Sequence, residues 1–283
     1  MKAQNLTISV PDKGCDKNCP YCISKITWSP KVDENTMGRN AEKVYKLAQT
    51  ANVTSVLITG KAEPMLNSDA VMKWCKIFRE WPLEIQTNGK KLMRMYRETQ
   101  SPEPFLHMRN WGINVFAFSV DGLEQLEEYS PMFAAIADHG MIVRVCINLT
   151  SMIGYDFHAI IEAVMKAGNV RQVLFRNITY PRMGQWLSKA EPPEIRWIKS
   201  MTKPAAYWEM AHNFGQMMEK TPRLPFRILP ETGVKVYDFM GTSVCFSDYC
   251  IQQENRMEDI RSLIFHQDGH VYTSWDSPAS LLF

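Results

Sequence analysis

A chain of 283 residues, 45% hydrophobic and 22% charged, has the composition of an ordinary globular protein and the length for one large α/β domain, with or without an extension. Its net charge of +2 gives no global pull toward nucleic acid or a membrane surface. No apolar run approaches the ~20 residues of a membrane span.

Met1 to Asn5 lead straight into a strand, with no signal-peptide core. Seven cysteines, an odd count with three clustered, argue for a reducing compartment and against a disulfide framework. The expected location is the cytoplasm. Eighteen methionines and eight tryptophans read as core packing.

The first strand is predicted over Leu6–Val10, and directly after it comes Gly14-Cys15-Asp16-Lys17-Asn18-Cys19-Pro20-Tyr21-Cys22. Cysteines spaced C-x3-C-x2-C can grip one face of a metal centre and leave a position open, the arrangement of a catalytic rather than a closed structural site. A helix follows near Ala41–Ala51, then a second strand over Val53–Thr59 and the turn Gly60-Lys61-Ala62-Glu63-Pro64. The next helix is expected from Ser68, as N-cap, to Glu80, with Val71, Trp74, Cys75 and Phe78 on its apolar face, so that Cys75 is a buried thiol.

Strand three is predicted over Leu83–Thr87, ending at Asn88-Gly89; a helix over Lys91–Thr99 then stops at Ser101-Pro102-Glu103-Pro104. Strand four covers Val115–Val120 and ends at Asp121-Gly122, and its helix closes at His139-Gly140. Strand five covers Met141–Leu149, its helix Phe157–Ala167, and strand six Val173–Thr179. Alternating strands and helices predict parallel βαβ units.

Several of these strands alternate, although buried parallel strands usually read as continuous apolar runs. Glu84, Gln86 and Asn88 share one side; so do Ser119 and Asp121; so do Arg144, Cys146 and Asn148; Arg176 opposes Val173 and Phe175. The apolar sides must meet the helices, so the polar sides face the hollow of a curved sheet. There they either satisfy one another in a filled core or line a cavity for a polar ligand. The candidate motifs all follow strand ends, the rim where barrel-type folds carry function.

Residues 181–283 are less regular: Glu191-Pro192-Pro193 breaks the chain, a helix is expected over Ala205–Lys220, and strand-like pieces follow at 226–229, 234–237, 262–265 and 271–273, the last two joined through Asp268-Gly269. The expected architecture is α/β: a partial (βα)6 TIM-like barrel over 1–180 with a C-terminal α+β cap over 181–283.

The cysteine motif, with Tyr21 just before the third cysteine, closely resembles the signature of the radical S-adenosylmethionine (SAM) superfamily. The resemblance implies a [4Fe–4S] cluster on Cys15, Cys19 and Cys22, whose fourth iron binds SAM. It implies reductive cleavage of SAM to a 5′-deoxyadenosyl radical that takes hydrogen from a substrate, with an electron donor such as flavodoxin or ferredoxin. The turn at Gly60, Lys61, Ala62 and Glu63 resembles the family's glycine-rich SAM-binding turn, departing from it at Lys61 and Ala62. By the same resemblance Tyr21 lies near the adenine, and Asn88 and Ser119 are polar contacts to SAM. Asp121, on the same rim, is a further candidate for cofactor binding, and Arg144 suits the SAM carboxylate as a fork-shaped donor. Asn148, Arg176 and Arg182 are candidates for substrate.

The nearest subgroup is the cyclic pyranopterin synthase-like enzymes of molybdenum-cofactor biosynthesis, through Thr59-Gly60, Thr87-Asn88-Gly89, Ser119-Val120-Asp121 and Pro181-Arg182-Met183-Gly184. The second-cluster cysteines of that enzyme are incomplete here, with Cys245, Cys250 and then Ser274, and its terminal Gly-Gly is missing. The expected substrate is a small or nucleotide-like molecule. A peptide or protein side chain is the alternative, and a non-enzymatic iron–sulfur or zinc protein is the third.

Overall fold

The computed structural model describes residues 2–180, 191–221, 224–229, 233–247 and 260–283. β1 (Ala3–Val10), β2 (Ser55–Gly60), β3 (Leu83–Thr87), β4 (Ile113–Val120), β5 (Ile142–Leu149) and β6 (Val170–Asn177) lie side by side in chain order, all parallel. The connections carry α1 (Glu34–Thr50), α2 (Ser68–Ile77), α3 (Lys90–Thr99), α4 (Glu103–Asn110), α5 (Glu124–Asp138) and α6 (Phe157–Ala167).

The sheet continues past β6. After α7 (Pro193–Met201) and α8 (Pro204–Lys220) come β7 (Arg227–Ile228), β8 (Lys235–Phe239), β9 (Thr242–Ser247), β10 (Ile260–Phe265) and β11 (Val271–Tyr272). β9 pairs parallel with β6, and β10 pairs parallel with the opposite edge, β1. Among the described residues, eight parallel strands therefore run β10-β1-β2-β3-β4-β5-β6-β9. β11 at one end and β8 with β7 at the other are antiparallel, and the sheet is open. The C-terminal segment thus builds both flanks of the sheet as well as the helices beside it.

The expected division of the strands holds. Phe116, Phe118, Val120, Val143, Val145, Ile147 and Phe175 are all sealed from solvent in the one large core beneath the helices. Their polar neighbours project from the other face, because successive side chains of a strand alternate.

Local differences have local causes. α1 begins seven residues before the predicted helix because Asp33 caps it, accepting from the Thr36 backbone N–H at 2.9 Å. The cap of α2 is Asn67, not Ser68. Pro102 and Pro104 open α4 rather than merely ending α3, since proline is tolerated in a helix's first turn. Pro193 does the same for α7. Gly89 has φ of +80°, and a Cβ there would come within 2.7 Å of the Tyr129 ring and 2.9 Å of Phe118; only glycine lets the chain leave β3 and enter α3 so tightly. No helix among the described residues is long and apolar enough to cross a membrane.

Candidate active site

All six strands β1–β6 end on the same side, and a cavity of about 260 Å³ opens there. From the loop after β1 come Cys15, Cys19, Tyr21 and Cys22; from the turn after β2 come Lys61, Ala62 and Glu63. Asn88, Ser119, Asp121, Asn148 and Arg176 line the remainder, from the ends of β3, β4, β5 and β6. Twelve positions singled out in the sequence therefore share one cavity. Gly60 and Arg144 lie outside its lining. Arg182 and Cys250 fall outside the described residues, as does the Pro181–Gly184 stretch.

Arg144 is engaged below the cavity. Its guanidinium forms an ion pair with Glu84 and donates through Nε to Gln172 Oε1 at 2.7 Å. The alternation of β5 put it on the correct face; nothing in the sequence named Glu84 as its partner.

Glu63 is 4% exposed, and its carboxylate accepts from the backbone N–H of Met65 (3.0 Å), the Thr87 hydroxyl (2.7 Å) and the backbone N–H of Asn88 (2.8 Å). It ties the turn after β2 to the end of β3. Burial pushes its carboxyl upward, opposed by those three donors. Asn88 in turn reaches the cysteine loop, donating to Asp16 Oδ1 at 2.8 Å and to the Cys15 sulfur at 3.7 Å.

Asp121 is the second anchor. It pairs with Lys17 at 2.5 Å, accepts from the Tyr21 hydroxyl, and accepts from Asn148 Nδ2 at 2.9 Å. One carboxylate thereby fixes two residues of the cysteine loop against β4 and β5. Sequence reasoning missed Lys17 and Asp16; the only signal was that charged side chains stand between metal-spaced cysteines.

Lys61, expected as part of the SAM-binding turn, is 6% exposed. Its ammonium donates to the Thr27 hydroxyl at 2.9 Å and to the Trp275 carbonyl at 3.3 Å, and lies 4.9 Å from the Trp275 ring centroid. Burial lowers its pKa to about 8.

The three loop cysteines carry free thiols, Cys15 exposed and Cys19 and Cys22 half-buried. Burial pushes Cys19 up to about 11 and also raises Cys15, so binding a metal here would release protons. Among the described residues no three His, Cys, Asp or Glu side chains converge closely enough to hold a single metal ion. An iron–sulfur cube takes one thiolate at each of three corners rather than three on a single ion, and three free cysteines of one loop are the donor chemistry it needs. The other described cysteines are apart from the loop: Cys75 on α2 and Cys146 on β5 are buried, and Cys245 is on β9.

The sequence profile of the Radical SAM superfamily matches residues 10–167, from the end of β1 to the end of α6. The chain belongs to the radical SAM superfamily. Members of that superfamily are enzymes that use a [4Fe–4S] cluster and S-adenosylmethionine. The match is to the superfamily as a whole and does not extend to the narrower likeness to cyclic pyranopterin synthase. Among solved structures, the fold is similar to that of SuiB from Streptococcus suis, with a TM-score of 0.57 at 12% identity over 97% of this chain. This radical SAM chain spans 60% of the length of that protein. No curated protein sequence matches it significantly.

Proposed function

We propose that Cys15, Cys19 and Cys22 hold the [4Fe–4S] cluster and that the enzyme takes hydrogen from a C–H bond of a small or nucleotide-like molecule. One arrangement carries this reading: three free thiols of a single loop and the polar ends of β2–β6 line the same cavity. When bound, the cluster and SAM would supply a carbon-centred radical on reduction. The protein's share is binding, orientation and exclusion of water.

The residues divide by position. Tyr21, Asn88, Ser119 and the Lys61–Glu63 turn border the cysteines and are proposed to contact SAM. Asn148 and Arg176, facing each other in register across β5 and β6, are proposed to meet substrate. Arg144, bound to Glu84, supports the floor beneath them rather than reaching the ligand. Residues 1–180 carry the chemistry, and 181–283 supply the substrate side and its closure. An electron carrier of the flavodoxin or ferredoxin kind is the proposed reductant, in the reducing cytoplasm where free cysteines persist.

The test is anaerobic reconstitution with iron and sulfide, reduction, and addition of SAM. Formation of 5′-deoxyadenosine, lost in a Cys19→Ala variant, is expected. Reconstituted, reduced protein that leaves SAM intact would overturn the proposal.

A further inference from the structure

Lys61 stands where the glycine-rich turn it resembles has no long side chain, and its environment is not that of a surface lysine. It joins three separate parts of the chain. Its backbone belongs to the turn after β2, its ammonium bonds Thr27 just beyond the last cysteine, and it bonds and faces Trp275 near the C-terminus. Trp275 is itself held from behind. Its ring stacks on His266 at 5.1 Å with planes 19° apart, and His266 is fully buried. Trp28, next to Thr27, packs edge-on against both His266 and Tyr272. The segment after β11 folds back on itself, with Thr273 N–H donating to Ser280 O at 3.0 Å and Ser274 N–H to the Ser280 hydroxyl at 3.0 Å.

The consequence is mechanical. Lys61 lines the cavity near Cys22, and its ammonium ties the Trp275 segment directly to that wall. Burying an ammonium is unfavourable unless it is well partnered. Two oxygen acceptors, an indole face and the nearby Asp276 carboxylate are partners of this one.

We propose that Lys61 is a positioning residue whose ammonium fastens the C-terminal segment around Trp275 to Thr27, just beyond the cysteine loop, and so braces from behind the part of the chamber wall that Lys61 itself lines. The proposal rests on the radical SAM reading for its purpose, and on the contacts alone for its structure. A lysine here acts through Trp275 and Thr27.

The test is hydrogen exchange by mass spectrometry, run on both the metal-free and the cluster-reconstituted protein. In Lys61→Met, amides of residues 273–280 are expected to exchange about tenfold faster, a fold-change equal to one ordinary hydrogen-bond energy of ~1.4 kcal/mol. Exchange in β4 and β5 is expected to stay as in wild type. Lys61→Arg, which keeps the cation, restores protection to within threefold. Trp275→Leu probes the pair from its other side and does not depend on the lysine variant folding. Combined with Lys61→Met it is expected to add less than twofold, because both remove the same contact. On reconstituted protein, SAM affinity is expected to weaken in Lys61→Met and recover in Lys61→Arg.

Unchanged exchange at 273–280 in either single variant, faster exchange spread evenly over the chain, or multiplicative effects in the double variant would each overturn the proposal. Loss of protection in the metal-free protein does not depend on SAM chemistry. The fastening can therefore stand or fall separately from the assigned function.

Discussion

His266 makes the protein acid-sensitive in a way that can be measured at one position. The ring is fully buried, and burial, aided by the nearby Lys61 ammonium, lowers its pKa from 6.5 to about 3. The unfolded chain therefore takes up a proton near pH 6.5, whereas the folded chain resists until about pH 3. Where the unfolded state binds more protons, stability rises with pH. The contribution is intact above pH 6.5 and is lost as pH falls toward 3. At 1.36 kcal/mol per unit, the loss between pH 7 and pH 4 is about 3 kcal/mol, a large share of a typical stability.

The assay is urea denaturation of metal-free wild type and His266→Phe at pH 7, 6, 5 and 4. Phenylalanine keeps the stack on Trp275 but strands the Gln267 N–H that now donates to His266 Nδ1 at 3.1 Å. The variant should therefore start about 1–2 kcal/mol weaker at pH 7. The decisive quantity is the slope: wild type should lose about 3 kcal/mol more than the variant on the way to pH 4. Parallel curves, within about 0.5 kcal/mol at every pH, would refute the reasoning, because they would mean that His266 titrates alike in both states.

Replacing Cys15, Cys19 or Cys22 with alanine should abolish iron retention after reconstitution, while Cys75→Ala should keep it; iron per chain is the measurement. Gly269→Ala should destabilise the fold by at least ~2 kcal/mol in urea, since its φ is +82° and a Cβ would come within 2.4 Å of the Met37 backbone nitrogen. Glu63→Gln should cost about 1–3 kcal/mol in the same assay, because one amide N–H₂ must then face a backbone N–H that the carboxylate now accepts. It should also weaken SAM binding by displacing Asn88.

The fold was legible where composition and period agreed. β3 and α6 are found within their predicted bounds, and the polar alternation of β3–β6 marks the inner face. β9 was not legible: six residues with only Val244, Cys245 and Phe246 apolar gain their strand state from pairing with β6 and β8. For the same reason the number of parallel strands was read as six, since partners for the outer edges of β1 and β6 come from far along the chain.

The site was legible as a set of rim positions, not as a network. Spacing brought out the three cysteines, and strand ends brought out Asn88, Ser119, Asp121 and Asn148. What spacing cannot supply is partnership across distance. Lys61 and Trp275 are 214 positions apart, Lys17 and Asp121 are 104 apart, and Arg144 and Glu84 are 60 apart. Each bond depends on the sheet having formed.

Because β10 and β9 flank β1 and β6, the order of synthesis matters. When the ribosome has released the six central strands, both margins of the nascent sheet still carry unpaired N–H and C=O groups. Bare margins of this kind template association with other chains. Those two margins are covered only by residues 242–247 and 260–265, the last parts of the parallel sheet to be synthesised.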